Sequence, residues 1–190
     1  MPEYRRLECP GATIFFTVVT HRRQPILTNN AIAILRKAVA IEIETRPFTI
    51  DAAVILPDHL HMIWTLPPND RDFSTRWSRI KARFTFAYLQ SGGAESGCTD
   101  SRSKRSERGV WQRRFWDHVI RDDREFGAYT DYIHFNPVKH GHAQCPHDWP
   151  HSSFHKYVRE GVYPQDWLCD CYQRRPKELP FEKAATKVGE

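Results

Sequence analysis

Apolar residues recur along this chain with two different periods, and the switches between them predict its elements. Residues 12–20 are rich in β-branched and aromatic types and read as a strand. After a polar turn, a helix starts with Asn29 or Asn30 as its N-cap and runs to about Thr45, ahead of Pro47. Residues 49–56 and 59–66 read as two further strands joined at Pro57-Asp58 into a hairpin, and Pro67-Pro68 ends the second. From Phe73 to Gln90 the apolar residues Phe73, Trp77, Ile80, Phe84 and Ala87 return at three- and four-residue steps, which predicts a helix. Arg76, Arg79, Lys81 and Arg83 are placed on its outer face.

Residues 91–109 are rich in Ser, Gly and charge and predict a mobile basic loop. A fourth strand is expected at residues 115–121. Asp122-Asp123 then caps a helix that runs to about Asn136, where Pro137 disfavours continuation. Beyond Gly141 lies a tail containing Trp, Pro and His, with a short helix at residues 153–160. The order βαββαβα predicts an α+β, ferredoxin-like sandwich: one antiparallel sheet with helices mainly on one face. Residues 1–141 form the domain and residues 142–190 a tail that docks on it.

The third strand carries the most distinctive chemistry. In a strand, residues i and i+2 share a face, so His59 and His61 present two imidazoles side by side while Leu60 points to the other side. This is a metal-ligand geometry, although with ten histidines in 190 residues it is not specific by itself. On the helix ending near Pro137, Tyr132 and Asn136 lie four residues apart and so on one face, about 6 Å along the axis. Asn136 can add a carbonyl oxygen to the two imidazoles, leaving positions for a phosphate oxygen and water. A tyrosine phenol is a poor nucleophile near neutral pH, and a cation on the scissile phosphate makes phosphorus more electrophilic. Tyr129, about 10.5 Å along the axis from Asn136, continues the apolar side of Phe126 and Ile133 and reads as core.

Charge and cysteine content narrow the setting. The net charge is +5. Arg102, Lys104, Arg105, Arg108, Arg113 and Arg114 are clustered against the single acid Glu107, close to Trp111, Phe115 and Trp116. Basic and aromatic residues interleaved in this way suit single-stranded nucleic acid. Trp111, Trp116 and Trp149 themselves read as core or docking residues. His140 and His142 flank Gly141 in a turn and read as solvated or DNA-facing. Five cysteines without Cys-x-x-Cys spacing indicate neither a disulfide framework nor a zinc site; Cys169-x-Cys171 is a weak metal signal. With no leader or membrane-length apolar stretch, a soluble protein of the reducing cytoplasm is expected.

His59-Leu60-His61, taken with the run from Tyr132 through Asn136-Pro137-Val138-Lys139-His140 to Gly141, resembles the REP-associated tyrosine transposases among the single-tyrosine HUH transposases. The segments 110–118, 120–122 and 149–154 match the same family pattern. The resemblance implies an HUH fold with Mg²⁺ or Mn²⁺ at His59, His61 and Asn136, and Tyr132 as nucleophile. It implies cleavage of single-stranded DNA at repetitive extragenic palindrome (REP) hairpins, through a 5′-phosphotyrosine link and a free 3′-hydroxyl that can later rejoin strands. Arg76, Arg79, Arg83, Arg102, Lys104, Arg105, Arg108, Arg113, Arg114 and Lys139 are the candidate DNA contacts. A nucleoid-associated monomer is expected. A hydrolytic nuclease using metal-bound water and a hairpin-binding module without chemistry are the alternatives.

Overall fold

The computed structural model describes residues 9–95 and 108–169. Four antiparallel strands form one sheet: β1 (Thr13–Val19), β2 (Thr49–Ile55), β3 (His59–Thr65) and β4 (Trp116–Val119), in the order β2-β3-β1-β4. The helices are α1 (Asn29–Thr45), α2 (Phe73–Gln90), α3 (Asp123–Lys139) and the short α4 (Phe154–Arg159). The expected α+β fold with its antiparallel sheet is therefore present, and element boundaries fall within a few residues of the pattern.

Strand parity divides the core in two. Ile14, Phe16 and Val18 of β1 and Leu60, Met62 and Trp64 of β3 point to one face, where they meet buried residues of α1 and α2. Trp64 and Trp77 stack there at 4.3 Å between ring centroids. Removing a buried aromatic of this kind costs roughly 3–5 kcal/mol. Phe15 and Ile63 point to the opposite face, which α3 covers with Tyr129, Tyr132, Ile133, Phe135 and Val138. Two long helices thus lie on one side of the sheet and one on the other. In the β1–β3 pairing, Thr17 lies opposite His61 and Val19 opposite His59, so the histidines occupy the centre of the sheet beneath α3.

Local signals account for the starts of α2 and α3. The Asp72 side chain accepts a hydrogen bond from Thr75 N at 3.0 Å, and Asp122 accepts one from Glu125 N at 2.7 Å. At α1 the cap position falls on Thr28, one residue earlier than expected. The largest departure is at Pro137, because α3 does not stop at Asn136 but continues through the proline to Lys139. Proline lacks only its own N–H, and the helix resumes with His140 N donating to Asn136 O at 3.0 Å. That extra turn carries Lys139 and His140 over the site.

Residues beyond Gly141 fold back across β2. Ile55 N donates to His151 O at 2.9 Å, Ser153 N donates to Ala53 O at 2.8 Å, and Ala53 N donates to Ser153 Oγ at 2.9 Å. The Trp149 indole donates to Ile55 O at 2.9 Å, and Phe154 is buried. This fold-back also corrects the expectation that no disulfide is present: Cys145 and Cys169, 24 residues apart, are joined. Their spacing carries no pairing signal, and only the path of the chain around α3 brings them together.

Candidate active site

His59 and His61 come together as strand parity requires, with ring centroids 5.1 Å apart and exposures of 1% and 0%. Each ring is oriented through its Nδ1. His59 Nδ1 lies 2.6 Å from Asp58 Oδ1, and His61 Nδ1 lies 3.0 Å from Thr17 Oγ1. The Asp58 carboxylate can only accept, so His59 Nδ1 donates and its Nε2 is left with the lone pair, while the Thr17 hydroxyl can accept from His61 Nδ1 in the same way. Carboxylates and hydroxyls orient metal-binding imidazoles by such contacts. Both Nε2 atoms are buried.

Asp58 is itself held from three directions. Its carbonyl accepts Thr20 N at 2.9 Å and Thr20 Oγ1 at 2.8 Å, and its carboxylate pairs with Arg23 at 3.0 Å. Burial would raise the Asp58 carboxyl, but hydrogen bonds and charge from His59 and Arg23 outweigh it and hold the group below its ordinary value. Arg22 and Arg23 both adopt left-handed backbone conformations, φ 54° and 52°. Consecutive non-glycine residues in that region store strain, here in the turn that grips Asp58.

Helix α3 delivers the second half of the site. The Tyr132 ring lies 5.3 Å from the His61 ring, and both Tyr132 and Asn136 are 0% exposed. Neither amide atom of Asn136 makes a hydrogen bond. A buried, unsatisfied amide costs about 1–3 kcal/mol, so its persistence one helical turn from Tyr132 calls for a ligand. Two imidazoles and an amide oxygen form a donor set that fits a divalent cation with open positions. Lys139, two turns beyond Tyr132, donates from Nζ to the phenol oxygen at 3.2 Å and lies 4.9 Å above the ring. The sequence suggests a hydroxyl emerging at the helix edge. In the structure the phenol is enclosed, with the exposed Lys139 side chain over it.

Two residues near the site differ from their sequence readings. The His140 ring packs 5.0 Å from His59 rather than standing in solvent. Asp58 reads from sequence as a turn residue, yet it orients His59. Lys139, expected as a DNA contact, instead meets the Tyr132 hydroxyl, a pairing that follows from continuing the helical face past Pro137, since Lys139 follows Tyr132 by seven residues. Tyr129 is core as expected: it lies 4.6 Å from Phe15, and burial, with Glu125 nearby, pushes its phenol up to about 12. Trp111 packs on Phe84 at 4.9 Å and Trp116 on Phe15 at 5.7 Å.

The basic residues divide into three groups. Arg76 is not on the outer face of α2, being 1% exposed. It pairs with Asp70 at 2.6 Å and donates to the carbonyls of Arg46, Pro47 and Asp72. The signal was available, since Arg76 falls in the same i, i+3, i+4 stripe as Phe73, Trp77 and Ile80. Arg79 and Arg83 both pair with the fully buried Glu42, Arg79 at 3.0 Å. Arg108, Arg113 and Arg114 are all exposed, and Arg108 pairs with Glu95 at 2.6 Å. Arg102, Lys104 and Arg105 lie outside the described residues.

No family model matches the chain. It is nevertheless 43% identical over 170 residues to the REP-associated tyrosine transposase of Escherichia coli, a match covering 90% of this chain and 93% of that one. Its fold superposes with a TM-score of 0.74 on the structure of a REP-associated tyrosine transposase bound to a REP hairpin. That structure is 40% identical, and the match spans 94% of this chain and 99% of the other. Taken with the paired histidines beneath a helix bearing Tyr132 and Asn136, this likeness over nearly the whole length places the chain in the family of REP-associated tyrosine transposases.

Proposed function

We propose that this protein cleaves and rejoins single-stranded DNA at REP hairpins, with Tyr132 as the nucleophile. The observation that carries the reading is the buried, unsatisfied Asn136 amide, one turn after Tyr132, which meets His61, and one turn before His140, which meets His59. Held by His59, His61 and Asn136, Mg²⁺ or Mn²⁺ supplies Lewis-acid polarisation of a phosphate oxygen.

The remaining chemistry belongs to the chain. Tyr132 Oη loses its proton to water and bonds to phosphorus, while the bond to the 3′ oxygen breaks and that oxygen takes up a proton. The products are a 5′-phosphotyrosine and a 3′-hydroxyl. The Lys139 ammonium, 3.2 Å from Oη, stabilises the negative charge that develops there. Because phosphodiester is exchanged for phosphodiester, the reverse attack by a 3′-hydroxyl needs no added energy source.

Arg113 and Arg114, both exposed, are the proposed phosphate contacts, while the aromatic residues around them pack against the core. Arg102, Lys104 and Arg105 extend that set. Arg79 and Arg83 are already engaged by Glu42 and contribute less. Among the described residues no helix is long and apolar enough to cross a membrane. The proposed setting is the bacterial nucleoid, with the protein acting as a monomer.

The test is incubation with Mn²⁺ and hairpins from the palindromes of the source genome, followed by denaturing electrophoresis. A covalent protein–DNA adduct is expected with the native chain and none with Tyr132→Phe. A normal adduct from Tyr132→Phe refutes the assignment, and cleavage without an adduct at any time points to hydrolysis instead.

A further inference from the structure

A second cluster of metal-ligating side chains lies away from the histidine pair, where residues beyond α3 turn back. Cys145, His147 and Cys169 bring two sulfurs and an imidazole nitrogen within 4.8 Å of one another. Both cysteines are only 3% exposed. His147 Nδ1 lies 3.7 Å from Cys169 Sγ.

The surroundings of His147 are those of a ligand. Its Nε2 lies 3.1 Å from Asp148 Oδ1, while Asp148 Oδ2 accepts Cys145 N at 3.2 Å. Its Nδ1 also faces Gln165 O at 3.0 Å. In the neutral tautomer protonated at Nε2, that nitrogen donates to Asp148 and Nδ1 keeps a lone pair for a cation, the carboxylate–histidine–metal relay typical of zinc sites. Two thiolates and an imidazole select Zn²⁺ and leave a fourth tetrahedral position for water.

We propose that Cys145, His147 and Cys169 form a redox-gated Zn²⁺ clasp, of which the disulfide is the oxidised state. Reduction by a low-molecular-weight thiol delivers two electrons and two protons to the sulfurs, and the thiol reductant becomes a disulfide. Zn²⁺ binding then releases those two protons and joins both thiolates to His147 Nδ1. Either state joins two residues 24 apart in sequence and holds Cys169 against the segment that follows α3. That the zinc state predominates in the cell rests on the function proposed above, since an enzyme acting at the nucleoid works among reduced thiols. The donor set does not depend on that reading.

Cobalt reports on the site directly. The full chain is stripped with chelator, reduced with a phosphine and titrated with Co²⁺. A thiolate-to-cobalt charge-transfer band in the near ultraviolet is expected, which Zn²⁺ abolishes and which is missing from the oxidised protein. The histidine pair contains no sulfur and cannot produce it. Cys145→Ser and Cys169→Ser should remove the band, and His147→Ala, which keeps both thiols, should weaken Co²⁺ binding at least about tenfold. No band in the reduced native chain, a full band in the double serine variant, or undiminished affinity in His147→Ala overturns the proposal. Adduct formation is read separately, so a band without an adduct refutes the transposase chemistry and leaves the clasp standing.

Discussion

Replacing Asn136 with leucine should make the metal-free protein more stable and destroy its activity. Asn136 is fully buried, and neither Oδ1 nor Nδ2 has a hydrogen-bond partner. Leucine has the same number and branching of side-chain heavy atoms, needs no partner and is the better helix former. Relief of the unsatisfied amide is worth about 1–3 kcal/mol. At about 2–4 °C per kcal/mol for a chain of this size, the melting temperature in chelator should rise by roughly 4–8 °C for a gain of about 2 kcal/mol. Mn²⁺ should reverse the ranking. A ligand at a hundred times its dissociation constant stabilises by about 2.7 kcal/mol, and only the native chain has the third donor needed for full affinity. Thermal unfolding followed by far-ultraviolet circular dichroism, with chelator and then with Mn²⁺, measures both effects, and adduct formation measures the loss of activity. An Asn136→Leu protein that melts below the native chain in chelator, or that forms adduct at the native rate, refutes the reasoning.

Asp58→Asn removes the carboxylate that orients His59 and should weaken Mn²⁺ binding about 10–100-fold, measured by calorimetry, with little change in fold. Lys139→Met keeps the apolar stem over the phenol but loses the ammonium; adduct formation from bound DNA should slow about 10–100-fold. If instead only DNA affinity falls, Lys139 is a phosphate contact and not a partner of Tyr132. Burial pushes His134 down to about 3. Below the ordinary histidine value of about 6.5 the unfolded chain therefore binds a proton that the folded chain refuses, and this contribution to stability is lost as pH falls toward 3. The loss from this residue should reach about 2 kcal/mol at pH 5. Urea midpoints at pH 7.5 and pH 5 should draw closer together in His134→Gln, and an unchanged gap contradicts the assignment.

How far the sequence could be read depended on the range of the interactions involved. His59 and His61 share a face because strand parity is local, and Tyr132 and Asn136 share one because helical spacing is local. Pro137 was misread because a proline's local preference to end a helix was outweighed by the packing of α3 on the sheet. Arg76 lies on the buried stripe by its spacing from Phe73 and Ile80, but a charge reads as outward-facing until the distant Arg46 and Pro47 carbonyls are brought to it by the packing of α1 on α2. Cys145 and Cys169 gave no hint at all, since nothing in a separation of 24 residues says that the chain returns.

The segment that crosses β2 has a consequence for how copies of this protein meet. β2 is the outermost strand on its side of the sheet, and an outermost strand offers unpaired backbone groups to any other strand that approaches. Here His151 and Ser153 occupy those groups at Ile55 and Ala53. At the opposite margin, β4 is only four residues long. Among the described residues neither margin offers a long template for sheet-to-sheet association, so the chain can hold a continuous antiparallel sheet at high local concentration without polymerising through it.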